Sequence, residues 1–139
     1  MMETTAVDSP RRSHKIAWWV GLVITILMGV VFVGSAVMKF RGGPELEEGM
    51  AASGIPISLL TVIAVVEITC VVIYLVPVTS VLGAVLLTGY MGGAIMTHLR
   101  LEENVVAQIV IGVLVWLGIY LREPRLWRLL PVRMGRSSR

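Results

Sequence analysis

Three ionisable side chains stand within or beside long apolar stretches of the sequence: Lys39, Glu67 and His98. Glu67 lies about ten residues into its apolar run, where a charged group facing lipid costs roughly 3 kcal/mol. A residue of this kind faces either the inside of a helix bundle or water. It can serve as a site for a proton or a ligand, or as a structural hydrogen-bonding contact between helices. The sequence supports these two roles equally.

Lys39 and His98 each end an apolar stretch, and both are expected at the same outer level of the molecule. For Lys39 we favour a side chain that extends to the membrane interface over one that turns inward to pair with Glu67. A helical wheel directs His98 away from the side of its helix that carries Gly89 and Gly93. We therefore predict a polar site with Glu67 at its centre and with Lys39 and His98 near its outer mouth.

The sequence lacks motifs for catalysis or cofactor binding. It contains no nucleotide-binding, zinc-protease or haem-attachment motif and no nucleophile–base pair, so a stand-alone enzyme is not the favoured hypothesis. The single cysteine, Cys70, cannot form an internal disulfide, and we expect a small buried side chain. Copper accepts methionine and histidine ligands, but methionine commonly fills gaps in apolar helices. We therefore predict no metal site from Met38, Met91, Met96 and His98.

The composition indicates that lipid is the solvent of most of this chain. Of its 139 residues, 56% are hydrophobic and 15% are charged, and the mean hydropathy is +0.85. In soluble domains roughly a quarter of the residues are charged, and one domain of this length cannot bury so much apolar surface. The net charge of +3 comes mainly from basic residues near the two ends, which argues against nucleic-acid binding.

Long uncharged runs predict an all-α fold, an integral membrane four-helix bundle. A helix needs about 20 apolar residues to cross the hydrocarbon core of a bilayer. In the longest loop, Pro44 and the glutamates that follow it predict one further short helix. The predicted spans form a single domain over residues 16–121 and lie at about 16–38, 57–76, 78–97 and 105–121.

Charge asymmetry predicts the orientation of the bundle. Residues 1–15, expected to be a disordered tail, and residues 122–139, expected to be a basic tail, together carry nine Lys and Arg residues. The opposite side carries three, namely Lys39, Arg41 and Arg100. Because Lys and Arg accumulate on the cytoplasmic side of membrane proteins, both termini are expected in the cytoplasm.

Small residues in the third span predict where the helices pack. Gly89 and Gly93 form a GxxxG pair, and Gly92 forms a second small pair with Thr88. Close helix packing in lipid depends on such residues. We expect Gly89, Gly92 and Gly93 to pack within the chain, with Gly112 and Gly118 of the fourth span as candidate partners, rather than against a second copy.

The order of several segments is typical of a known family. The first span ends GSAVMKF, the third ends TGYMGGAIMTHLR, and the fourth continues into WLGIYLREPRLWRLLP. Over residues 16–131 this order of a lysine, a glutamate and a glycine-rich segment followed by a histidine resembles the DoxX-like family of small bacterial membrane proteins. The resemblance implies a four-helix bundle in the cytoplasmic (inner) membrane. It also matches Lys39, Glu67 and His98 to the family's recurring polar positions.

The resemblance bears on function because some relatives are linked to quinone or to sulfur and oxidative-stress chemistry. The leading hypothesis is a small accessory or anchoring subunit of a quinone- or stress-linked redox complex, although no motif for a quinone or another cofactor is present. The alternatives are a proton-coupled small-molecule carrier that uses Glu67, and a structural membrane adaptor. Small multidrug transporters carry such a glutamate in the first span, whereas Glu67 lies in the second. The expected partners are the lipid bilayer and either a membrane redox complex or further copies of the chain.

Overall fold

The computed structural model of the chain describes residues 10–129, with side chains from residue 14 to residue 127. All regular secondary structure in this part of the chain is α-helix, with no strand, which confirms the all-α prediction. In chain order the helices are α1 (Pro10–Arg41), α2 (Pro44–Ala52), α3 (Leu59–Leu75), α4 (Ser80–Arg100), α5 (Val106–Arg122) and α6 (Leu126–Leu129).

Helix α1 is longer than the predicted span at both ends. It begins at Pro10, within the stretch predicted to be a disordered tail, because proline suits the first turn of a helix. It continues to Arg41 and ends where Gly42 takes a φ of 64°, a left-handed conformation that glycine adopts without strain. Residues 1–9 and 130–139 of the predicted tails lie outside the described residues.

The four long helices pack side by side in a closed ring. Helix α1 packs against α3 and α5, and α4 also packs against α3 and α5. Short connections make sequence neighbours antiparallel. Cys70 is buried, as predicted, in a core that includes Met28, Phe32, Cys70, Val71, Tyr74, Ala84, Leu87, Met91, Val115 and Ile119.

The outer surface of the ring is apolar on every long helix. Val23 of α1, Val62 of α3, Val85 of α4 and Val113 of α5 are each more than half exposed. By length and apolar composition, His14–Arg41 and Ser80–Arg100 can cross a membrane, whereas α3 and α5 are apolar but shorter. Helices that are apolar on all sides favour lipid rather than water as their surroundings.

Of the four glycines in α4, Gly83 near the first turn makes a close helix contact, and the predicted triplet does not. A Cβ atom at Gly89, Gly92 or Gly93 would meet no neighbouring atom within 4 Å, so these residues make no close helix contact within the chain. At Gly83, in contrast, a Cβ atom would overlap the backbone N and Cα of Tyr74. The tight connection between α3 and α4 holds the two backbones together at this end, and the predicted packing site therefore moves to Gly83.

Helices α1 and α5 make a second close contact through small residues. A Cβ atom at Gly21 would lie 2.7 Å from the carbonyl oxygen of Gly118, and one at Gly118 would lie 2.9 Å from Oγ1 of Thr25. The Thr25 hydroxyl donates a hydrogen bond to the Gly21 carbonyl at 2.8 Å. Gly118 thus packs against the first helix rather than against the third predicted span, and a Cβ atom at Gly112 would meet no neighbouring atom within 4 Å.

Replacing Gly83 with alanine is expected to destabilise the protein. Overpacking typically costs 1–3 kcal/mol, which exceeds the gain of about 1 kcal/mol that alanine brings to a helix. Thermal unfolding in detergent should show a lower Tm for Gly83→Ala, and an equal or higher Tm for the matched control Gly89→Ala. Equal Tm values for the two variants would show that the α3–α4 contact is not close.

Candidate functional site

A cavity of about 600 Å³ lies at the end of the helix ring that carries α2. All four long helices and α2 contribute to its lining, and most of the lining side chains are apolar. The apolar walls include Phe32, Leu60, Met91 and Ile111. A space of this size and composition is typical of sites that bind small, largely apolar molecules.

Glu67 and Lys39 form an ion pair in the wall of this cavity. The Lys39 Nζ atom lies 2.9 Å from Oε2 of Glu67 and also donates a hydrogen bond to Oγ of Ser35. The Glu67 side chain is 2% exposed and the Lys39 side chain 18%. The structure therefore brings together two of the three predicted site residues in direct contact.

The orientation of Lys39 differs from the favoured prediction that it extends to the interface. Side chains on a helix lean toward its N-terminus. Because α1 continues to Arg41, Lys39 lies within the helix, and its side chain runs back along Ser35, one turn earlier, to reach Glu67. In the sequence, the four-residue spacing between Ser35 and Lys39 indicates the contact between these two side chains.

The buried pair contributes little to stability as a pair, but it is costly to break. Apolar side chains of similar volume often replace buried ion pairs without loss of stability, whereas loss of one partner leaves an uncompensated charge. In this mostly apolar cavity, Lys39 supplies a positive group and Glu67 supplies a negative group. Together they can orient a bound molecule through charge and hydrogen bonding.

His98 lines the same cavity but is not part of the ion pair. Its Nδ1 atom is hydrogen-bonded to Oε2 of Glu103, and both side chains are partly exposed, at 38% and 52%. His98 and Glu103 lie at and beyond the last turn of α4, next to the loop before α5. The carboxylate that His98 contacts is Glu103 and not Glu67.

Two further polar side chains, Tyr90 and Gln108, line the cavity. The Tyr90 ring packs edge-on against Phe32, with ring centroids 6.3 Å apart. The Oε1 atom of Gln108 is buried and has no hydrogen-bond partner among the described residues. A buried acceptor without a donor is unfavourable by about 1–3 kcal/mol, so a bound molecule that donates a hydrogen bond there would stabilise the site.

Helix α2 forms one wall of the cavity at its loop end. Glu45, Met50 and Ser53 face the space, and Met50 and Ser53 are buried. Pro44 occupies the first turn of this helix and acidic residues follow it, as the sequence predicts. Over residues 10–129, no three His, Cys, Asp or Glu side chains are grouped so that they could hold a metal ion.

In a comparison with protein families, a model described as the DoxX-like family matches residues 23–118. This range is more than half of the chain and includes Lys39, Glu67 and His98. No curated protein and no solved structure matches the chain.

Removing Lys39 alone is expected to destabilise the protein more than removing both partners of the ion pair. Lys39→Met leaves the Glu67 carboxylate unpaired, with an expected loss on the order of 3 kcal/mol, and the added Glu67→Gln should restore most of it. Thermal unfolding in detergent would measure both variants. Arg41→Met, an exposed position on the same helix, is the control and should unfold like wild type. A double variant no more stable than Lys39→Met would contradict the ion-pair account.

Proposed function

Because the chain belongs to the DoxX-like family, we propose that it is a four-span membrane protein whose cavity binds a small, largely apolar molecule beside Lys39 and Glu67. Its membership of this family and its two long apolar helices identify it as a membrane protein. The cavity of about 600 Å³ that contains the buried ion pair is the observation that carries the proposed function.

Helix lengths and charges support four crossings with both termini in the cytoplasm. Helices α3 and α5 have 17 residues each, near the lower limit of roughly 17–25 residues for a membrane-spanning helix. They pack between two longer helices, and α3 and α5 expose apolar side chains as α1 and α4 do. With the excess of Lys and Arg at the two ends of the chain, the cavity and α2 then lie toward the outer face of the cytoplasmic membrane.

The cavity selects a ligand with an apolar body and a polar end. Its apolar walls favour a molecule that partitions into lipid. The Gln108 Oε1 atom, which has no partner among the described residues, can accept a hydrogen bond from a ligand, and Lys39 and Glu67 offer a donor and an acceptor in the same cavity. A hydroxylated ring or a short-chain alcohol satisfies these groups.

We place this binding function within an accessory or anchoring subunit of a quinone- or stress-linked redox complex. Such a subunit needs a membrane-embedded space for a lipid-soluble molecule, and the cavity is suited to one. Purification in mild detergent, followed by mass spectrometry and optical spectra, tests the partner. A flavin-, haem- or quinone-linked protein that co-purifies supports the subunit role, and its absence counts against it.

A proton-coupled carrier is the second candidate, because Glu67 is buried in the wall of a cavity. In a carrier the carboxyl group must exchange a proton or substrate during transport, whereas here Lys39 already neutralises it. Dye efflux from cells expressing wild type and Glu67→Gln separates the two candidates. Equal efflux from both would rule out the carrier hypothesis. The third hypothesis, a structural adaptor, requires neither dye efflux nor a ligand in the cavity.

Filling the cavity is expected to abolish ligand binding. Gly93 lines the cavity with open space around it, so Gly93→Trp should occupy part of the volume. Gly92→Trp is the control, because Gly92 is exposed at the same depth and does not line the cavity. A short-chain ubiquinol should raise the Tm of wild type and Gly92→Trp, but not of Gly93→Trp. At 100 times Kd the expected stabilisation is about 2.7 kcal/mol. No shift for wild type, together with no lipid-soluble molecule in extracts of it, would contradict the binding function.

The orientation predicts which engineered cysteines react from outside the cell. In a Cys70→Ala background, Glu48→Cys on α2 should react with a membrane-impermeant maleimide in intact cells. Val78→Cys, at a residue that is 95% exposed between α3 and α4, should react only after permeabilisation. The reverse pattern would show that the termini are outside.

A further inference from the structure

A second hollow, of about 300 Å³, lies at the opposite end of the molecule from the cavity. It is bounded by the start of α1, the end of α5 and the segment that contains α6. Aromatic and basic side chains form most of its lining, namely Trp18, Trp19, Trp127, His14, Lys15 and Arg122.

Helix geometry and direct contacts build these walls. Lys15, Trp18 and Trp19 are spaced three and four residues apart, so they lie on one face of α1. The Trp127 ring stacks on His14 with a centroid separation of 5.3 Å. Its Nε1 atom donates a hydrogen bond to the carbonyl oxygen of Tyr120 at 2.6 Å. The segment after α5 is thereby held against the first helix.

The described lining of the hollow carries positive charge without a neutralising carboxylate. Among residues 14–127, no Asp or Glu lines it. Neither Lys15 nor Arg122 forms an ion pair with another described residue, and the Glu123 carboxylate lies 3.8 Å from Arg125 instead. A lysine offers a point charge and an arginine offers parallel N–H donors, a combination that suits the oxygen atoms of a phosphate.

We propose that this hollow binds the phosphate of an anionic phospholipid. Tryptophan side chains prefer the level of the lipid headgroups, and basic residues at that level attract anionic lipids. Directly beyond Trp19 the exposed side chains of α1 are apolar, as at Val20 and Val23, so acyl chains of the same lipid can lie along the helix. The hollow thus provides both a charged end and an apolar path, whereas a free phosphate would use only the first.

Native mass spectrometry of the purified full chain tests this site with phosphatidylglycerol and phosphatidylcholine. Wild type should retain phosphatidylglycerol in preference to phosphatidylcholine. The variant Lys15→Gln/Arg122→Gln should bind phosphatidylglycerol at least roughly 10-fold more weakly, since each basic residue contributes substantially to anionic-lipid binding. The control Arg41→Gln/Arg100→Gln removes the same charge at the other end of the molecule and should keep the preference.

One further variant and a competition experiment with inorganic phosphate also test the proposal. Lys15→Gln alone changes one exposed side chain, so it should fold normally and still lose part of the preference. An equal loss in the Arg41→Gln/Arg100→Gln control would show a general charge effect and overturn the site. Displacement of the lipid by millimolar inorganic phosphate would overturn the assignment to a lipid. Because the ubiquinol shift reports on the other end of the molecule, failure here leaves the proposed function standing.

Discussion

A buried carboxylate needs a partner, and much of this architecture depends on the ion pair between Glu67 and Lys39. Lys39 reaches Glu67 only because α1 continues to Arg41 and lets the lysine side chain run back along Ser35. The contact sets the position of α1 along α3 near one end of the ring. It also provides paired charges where the surrounding side chains are apolar, which restricts the molecules that the cavity suits.

The two ends of the helix ring differ in how closely the helices approach. Near the connection between α3 and α4, Gly83 allows the backbones to touch, and Gly118 does the same between α5 and α1. A Cβ atom at Gly93 would meet no neighbouring atom within 4 Å, and the ring there encloses the cavity. Dense packing at one end therefore supports an open site at the other, since the close contacts hold the helices while the space between them remains.

The positions of the helices along the chain were largely predictable, because long apolar runs indicate where such helices form. The predicted spans overlap all four long helices, and Pro44 indicates α2 correctly. The packing of the third predicted span was not predictable in the same way. Its glycines at 89, 92 and 93 form a motif that is common in membrane helices, but the motif does not say which neighbour is near, and the neighbour is near Gly83 instead.

By itself the sequence determined the all-α class, the lipid-compatible surface, the buried position of Glu67 and the concentration of basic residues at the two ends. Each of these depends on residue type or on spacing within one helix. Only the tertiary structure decided that Lys39 turns inward, that His98 pairs with Glu103, and that a cavity separates the helices near α2. These features depend on the distances between helices, which periodicity along a single helix does not contain.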